Sequence, residues 1–229
     1  MSLYGVYLLC DYFINFTQKD VFMLRRIFTL VASFLVVAGI AGCRQIIVAE
    51  VLQQPLGKKV YLKHNIWYEN PKDISCLNIQ KGKILNFGTE VEPLKATDYK
   101  LSFKTKDGKE FTIDYDYSLI MLPMEGYIKQ IFTLKNREEL TKGMKPKHLK
   151  LIMAGKVKRG LTKEQVILGC GTPPACRTPS TLNSTWIYWL SEYSVYRVVF
   201  RREKVNVLID INDEPKKTRI SKKTKKTKK

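Results

Sequence analysis

The chain has 229 residues and sets 40 Lys and Arg against 21 Asp and Glu, a formal net charge of +19. Its two histidines, His64 and His148, lie far apart and have no cysteine or carboxylate at ligand spacing, so no metal site is implied. The basic excess suits phosphate in general, but no finger, recognition helix or aromatic-interleaved basic motif accompanies it, and nucleic acid is not an expected partner.

Nine of the basic residues fall between Lys216 and Lys229. About half the charge excess therefore belongs to a terminal block that repels itself and stays solvated, and residues 213–229 are expected as a disordered basic tail. Close to a membrane such a tail would be drawn to anionic head groups by about 1 kcal/mol per basic residue.

At the other end, Arg25 and Arg26 precede an uncharged apolar run from Ile27 to Ile40, too short to span a bilayer comfortably. Ile40-Ala41-Gly42-Cys43 follows, and it resembles the lipobox of bacterial lipoproteins. The resemblance implies a signal peptide (a signal helix) over 23–42. It also implies diacylglyceryl and N-acyl groups, palmitate among them, on a new N-terminal Cys43, with no other cofactor. Arg44 after the cysteine, in place of aspartate, implies sorting to the outer membrane, with the mature chain lipid-anchored at its periplasmic face. Residues 1–22 are expected as a start-site extension ahead of Met23, with Met1 as the alternative start.

Residues 43–57 are expected as a lipidated tether. From 58 to 117 the texture is that of strands: Val60–Leu62, Ile66–Tyr68, Ile84-Leu85, Leu101–Lys104 and Phe111–Ile113 mix aromatic, β-branched and polar residues. Asp107-Gly108 between two of them predicts a hairpin with a tight I′ turn. Several short strands without helical period predict a small antiparallel barrel. Lys83 to Val91, with Gly88-Thr89 inside it, resembles a step of bacterial SH3-like domains, which implies an SH3-like β-barrel. Residues 118–145 are expected as a connector holding a short helical or strand piece at 127–134.

A second unit is expected over 146–212. Pro146 suits the first turn of a helix, and Leu149, Ile152, Met153 and Val157 follow as one apolar stripe, with Gly160 as its stop. Thr162-Lys163-Glu164-Gln165 is a capping box opening a second helix, with Val166 and Cys170 on one face and Gly171 and Pro173-Pro174 at its end. Three strands, 185–190, 194–200 and 204–209, predict an antiparallel meander beneath the two helices.

Lys158 to Val166, Cys170-Gly171-Thr172-Pro173, Trp186-Ile187-Tyr188-Trp189 and Val198-Val199-Phe200 to Val205 together resemble the BamE (SmpA/OmlA) lipoprotein domain. This implies an αα-βββ two-layer unit and an accessory place in β-barrel protein assembly. The fold class is thus expected to be α+β. Glu203, where that family's hairpin has glycine, suggests a longer or different turn. Cys170 takes a core leucine position and is read first as a core thiol, although a bridge to Cys176 remains open.

Catalysis is not expected. Ser180, Ser184 and Ser191 lack an elbow motif and a partner histidine, Glu138-Glu139 and Asp213-Glu214 read as solvated pairs, and Gly169-Cys170-Gly171 is no phosphate loop. Trp67, Tyr68, Trp186, Tyr188 and Trp189 could line a groove, but aromatics in short alternating strands are more often core or scattered surface; Trp186 reads as core, and Trp67 is evenly balanced. Two functions remain: a non-catalytic assembly scaffold docking another envelope protein complex, or a lipoprotein binding peptidoglycan through the SH3-like unit.

Overall fold

Leu101, Phe103 and Thr105 are buried while Ser102 and Lys104 between them are half-buried, a period of two that makes this segment a sheet strand with one face in the core. The structure, a computed structural model, describes residues 44–210. From Gln45 onward these belong to one compact unit of class α+β, with mostly strands and a few helices. The expected signal segment 23–42, Cys43, the expected extension 1–22 and the expected tail 213–229 lie outside the described residues.

The first half is built on a curled six-stranded sheet. Its strands are β1 (Val60–Leu62), β3 (Ile74–Ser75), β5 (Glu90–Ala96), β6 (Lys100–Thr105), β7 (Glu110–Asp114) and β8 (Phe132–Thr133), in the order β3-β7-β6-β5-β1-β8. A separate pair joins β2 (Ile66–Tyr68) to β4 (Lys83–Leu85). Between Pro93 and Lys95 the register of β5 on β6 slips, leaving Leu94 as an extra residue. Proline has no N–H for the ladder, and an inserted residue raises the local twist, so the curl has a chemical cause here.

Several elements depart from the sequence expectation. The β3–β7 pair is parallel, whereas an all-antiparallel barrel was expected. The Asp107-Gly108 turn is a three-residue loop: Thr105 N–H donates to Lys109 O, and of the loop residues only Gly108 has positive φ, at +82°. A I′ turn needs two such residues, so the extra loop residue replaces it. Residues expected as tether are folded: Ile46 N–H donates to Ala96 O at 2.8 Å, and Val48–Val51 forms a short helix, α1.

The expected connector is also folded. It holds α2 (Tyr117–Ile120), α3 (Met124–Ile131), β8 and α4 (Arg137–Leu140). Met124, Tyr127, Ile128 and Ile131 form the buried stripe of α3, and Phe132 meets Phe103 edge-on with centroids 5.5 Å apart.

The second half keeps the expected order: α5 (Pro146–Met153), α6 (Lys163–Cys170), then the meander β9 (Thr185–Ser191), β10 (Ser194–Arg201) and β11 (Lys204–Asp210). Pro146 stands in the first turn of α5, and Thr162 and Gln165 form the capping box of α6. The helices cover one sheet face, burying Trp186, Val198 and Val205 together with Ile152, Val166 and Cys170. Helix α5 stops at Met153, earlier than Gly160, because Gly155 turns left-handed (φ +62°) beneath Trp67. A β-carbon on Gly155 would lie 2.2 Å from Trp67 Cζ2.

The β10–β11 turn is shorter than Glu203 suggested. Arg201 pairs with Lys204, and Arg202 and Glu203 both take positive φ, +50° and +59°, making a two-residue I′-like turn without glycine. A tertiary clamp holds it: Lys163 N–H donates to Glu203 O, and Lys163 Nζ lies 3.2 Å from the Glu203 carboxylate.

Candidate functional site

The seam between the halves is where the described residues concentrate buried polar chemistry. A helix leaves its last four carbonyls without partners in the helix. Here α5 and α6 both end at the seam, and asparagines of the first half supply the missing donors. Asn65, fully buried, donates its side-chain amide to Ile152 O at 2.7 Å and Gly169 O at 3.1 Å, and its backbone N–H to Leu168 O. Asn78 donates to Cys170 O and Asn86 to Met153 O. The Asn65 carboxamide oxygen accepts from Phe87 N–H at 3.0 Å and from the Asn86 side chain at 3.3 Å.

Gln80 extends this network on the sheet side. Its N–H donates to Trp189 O, and its side chain exchanges hydrogen bonds with the Tyr196 hydroxyl. Tyr196 in turn stands 3.7 Å from Cys170 Sγ, while Tyr188 donates to Gly171 O at 3.0 Å. Gly171 must be glycine here, since a β-carbon would meet His64 Cε1 at 3.0 Å and φ is +83°.

A cleft of about 430 Å³ opens along the seam. Ile66, Ile74, Cys76 and Tyr127 line it from the first half, and Pro173 and Pro174 from the loop after α6. A second hollow of about 460 Å³ carries Trp67, Tyr68, Glu69, Lys81 and Tyr193. It mixes aromatic faces with charged and polar groups, whereas the seam cleft is mostly apolar.

Burial keeps the seam's ionisable groups neutral. It pushes the His64 imidazole down to about 4, with the Asn65 carbonyl that accepts from Nδ1 opposing the shift and Lys63 adding to it. It pushes the Cys170 thiol up to about 12 and Tyr196 and Tyr188 well above the phenol range. A neutral imidazole and a protonated thiol can both donate and accept hydrogen bonds in this setting.

The residues weighed from sequence are scattered. Ser180 and Ser191 accept from the Leu182 and Tyr193 amides, and Glu139 completes a capping box with Asn136. His148 lies on Gln165 Oε1 at 3.0 Å, far along the chain from His64. Among the described residues no three His, Cys, Asp or Glu gather as metal ligands. Cys170 and Cys176 are both free, and Cys170 is the core thiol of the second half. Trp186 is fully buried against Phe200, whereas Trp67 is half-buried over Gly155. Asn65, Asn78, Asn86 and Gln80 carried no signal in the sequence.

The fold thus defines an α+β body, with a six-stranded sheet, a three-stranded sheet and a two-stranded pair, closed by a buried asparagine seam. Comparison of the chain with protein-family models, curated proteins and solved structures finds no match.

Proposed function

We propose that the chain is a non-catalytic envelope lipoprotein, acylated on Cys43, that acts as a docking or assembly scaffold at the periplasmic face of the outer membrane. Its second half is then a BamE-like unit placing it near β-barrel protein assembly, and its first half an SH3-like unit with added strands. The order helix, helix and three-stranded meander supports the BamE resemblance, and the curled sheet supports the other.

The observation that carries the docking role is the early start of the fold. Ile46 is 7% exposed and bonded to Ala96, so only Arg44 and Gln45 separate it from Cys43. At about 3.3–3.6 Å per residue, a lipid on Cys43 would hold the body within roughly 11 Å of its anchor. A body held that closely meets partners at the membrane surface more readily than a sacculus some distance away.

The hollow lined by Trp67, Tyr68 and Tyr193 favours the second reading, peptidoglycan binding, because aromatic faces beside polar groups suit sugar rings and short peptides. Two experiments separate the readings. Palmitate labelling of cells should reach the wild-type protein and fail with Cys43→Ala; equal labelling would remove the lipoprotein premise. Cross-linking followed by purification should then recover envelope assembly subunits. Retention on isolated sacculi, lost on Trp67→Ala, would replace the scaffold role with wall binding.

A further inference from the structure

Cys76 lines the seam cleft, and Cys176 stands in the loop after α6 whose neighbouring residues Pro174 and Ala175 border it; the asparagine network uses neither thiol. Cys76 follows β3, and its N–H donates to Asp114 O at 3.1 Å. Cys176 sits in the loop after α6, and its N–H donates to Leu119 O at 3.1 Å. Both backbones are therefore tied to the same short corner, residues 114–119, where Asp116 caps α2 through Ser118. One thiol comes from each half of the body, a hundred residues apart in the chain.

Both thiols sense the same carboxylate. Burial pushes the Cys76 thiol up, and the charges of Asp116 and Cys176 add to that, while the Asp116 backbone N–H opposes it. Burial also raises Cys176, with Arg177 pulling it back and Asp116 pushing it up. Asp116 thus acts on both sulfurs. Cys170 has no place in this pair: it is 1% exposed and occupied by Tyr196 and the Gly155 carbonyl.

We propose that Cys76 and Cys176 form a disulfide that latches the loop after α6 onto the first sheet across the seam cleft. The oxidant is a disulfide-bearing molecule, either an oxidised thiol–disulfide exchange protein or oxidised glutathione. Cys176 reacts first, since it is half-buried where Cys76 is 6% exposed and Arg177 favours its thiolate. Its thiolate, having lost a proton, attacks the oxidant's disulfide, forming a mixed disulfide and releasing one thiolate. The Cys76 thiolate then attacks the Cys176 sulfur of that mixed disulfide, closing the Cys76–Cys176 bond and releasing the second thiolate. Two thiol protons and two electrons leave the protein, and the oxidant's disulfide becomes two thiols.

The latch closes a loop of about a hundred residues, the range in which chain-entropy arguments give a cross-link its largest effect on the unfolded chain. It rests on the position of the two thiols and not on the export reading, because the test needs no cell compartment. Purified full-length protein is equilibrated with a glutathione buffer rich in the oxidised form, free thiols are blocked, and peptides are mapped without reduction. The expected product joins the Cys76 and Cys176 peptides, with Cys170 blocked only after denaturation. The urea midpoint of this product should exceed that of the reduced protein, and the difference should vanish in Cys176→Ser while persisting in Cys170→Ser. Glutathione left on Cys176, a Cys170–Cys176 link, or both thiols recovered free would each overturn the proposal. Mapping is done on the wild-type chain, so a variant that fails to fold does not blunt the test.

Discussion

Replacing Asn65 with alanine should weaken the whole body and not one half of it. The side chain serves three buried groups, the Ile152 and Gly169 carbonyls and the Phe87 N–H, and the part-buried Asn86 amide. Ile152 O keeps the Gly155 N–H at 2.9 Å, and Asn86 keeps Met153 O at 2.8 Å, so these two lose least. The Gly169 carbonyl and the Phe87 N–H lose the partner that satisfies them. A buried polar group left unpaired costs about 1–3 kcal/mol, so the variant should lose about 2–6 kcal/mol. That is a large part of the roughly 5–15 kcal/mol that holds a typical domain. Urea unfolding followed by tryptophan fluorescence, which reports Trp67 in the first half and Trp186 and Trp189 in the second, and by far-UV circular dichroism, which reports every element, gives the measurement. In the wild type the two probes should coincide in one transition. In Asn65→Ala both midpoints should fall together at similar slope. An unchanged midpoint, or two separate wild-type transitions, would refute the view that the asparagine seam couples the halves.

Three further outcomes concern two glycines and a histidine. Gly155→Ala places a β-carbon 2.2 Å from Trp67 at a left-handed position. Conformational cost and overpacking together should take about 2–5 kcal/mol from stability. Gly108→Ala, with open space around it, should cost only about 1 kcal/mol in the same urea assay. His64 gives a pH dependence of definite sign. Its folded value of about 4 lies below the ordinary 6.5, so the unfolded chain takes up the proton first as pH falls. The imidazole's contribution is fully favourable above about 6.5 and is eroded down to about 4. Between pH 7.5 and 5 the loss should be about 2 kcal/mol by linkage. His64→Gln should flatten this part of the pH profile of the urea midpoint; an identical profile would refute the assignment.

Elements whose chemistry is local were readable from sequence. The Thr162–Gln165 capping box, the Pro146 helix start and the aromatic meander each depend on residues within a few positions of one another, and each stands where expected. What was not readable depends on distant partners. Helix α3 was expected only as an undecided helical or strand piece at 127–134, because it is two turns long with Pro123 before it and Gly126 inside it, and its stripe settles only once the sheet covers it. Gly160 is the natural sequence signal for the end of α5, and Gly155 ends it instead only because Trp67, almost ninety residues earlier, is laid over it. Glu203 can occupy a glycine-like turn position because Lys163 holds it there. The asparagines of the seam act on carbonyls 87 and 104 residues away, and asparagine in a loop ordinarily signals only a turn.

Strand β11 bears on how copies of this protein behave in concentrated solution. Its first part is closed along the free edge, where Gly160 N–H donates to Val205 O and Val205 N–H to Leu161 O. Beyond that, Val207, Leu208 and Ile209 are 43%, 40% and 45% exposed on the outermost strand of their sheet. An apolar sheet edge is a template for pairing with a like chain, and sequences commonly guard such edges with lysine. The guard here follows in the sequence, with nine basic residues from Lys216 to Lys229 soon after Asp210. Two edges brought together would bring two such charge blocks together, at a cost set by ionic strength. Colloidal stability should therefore fall as salt rises, and removing the lysine run should release edge-to-edge association at low salt as well.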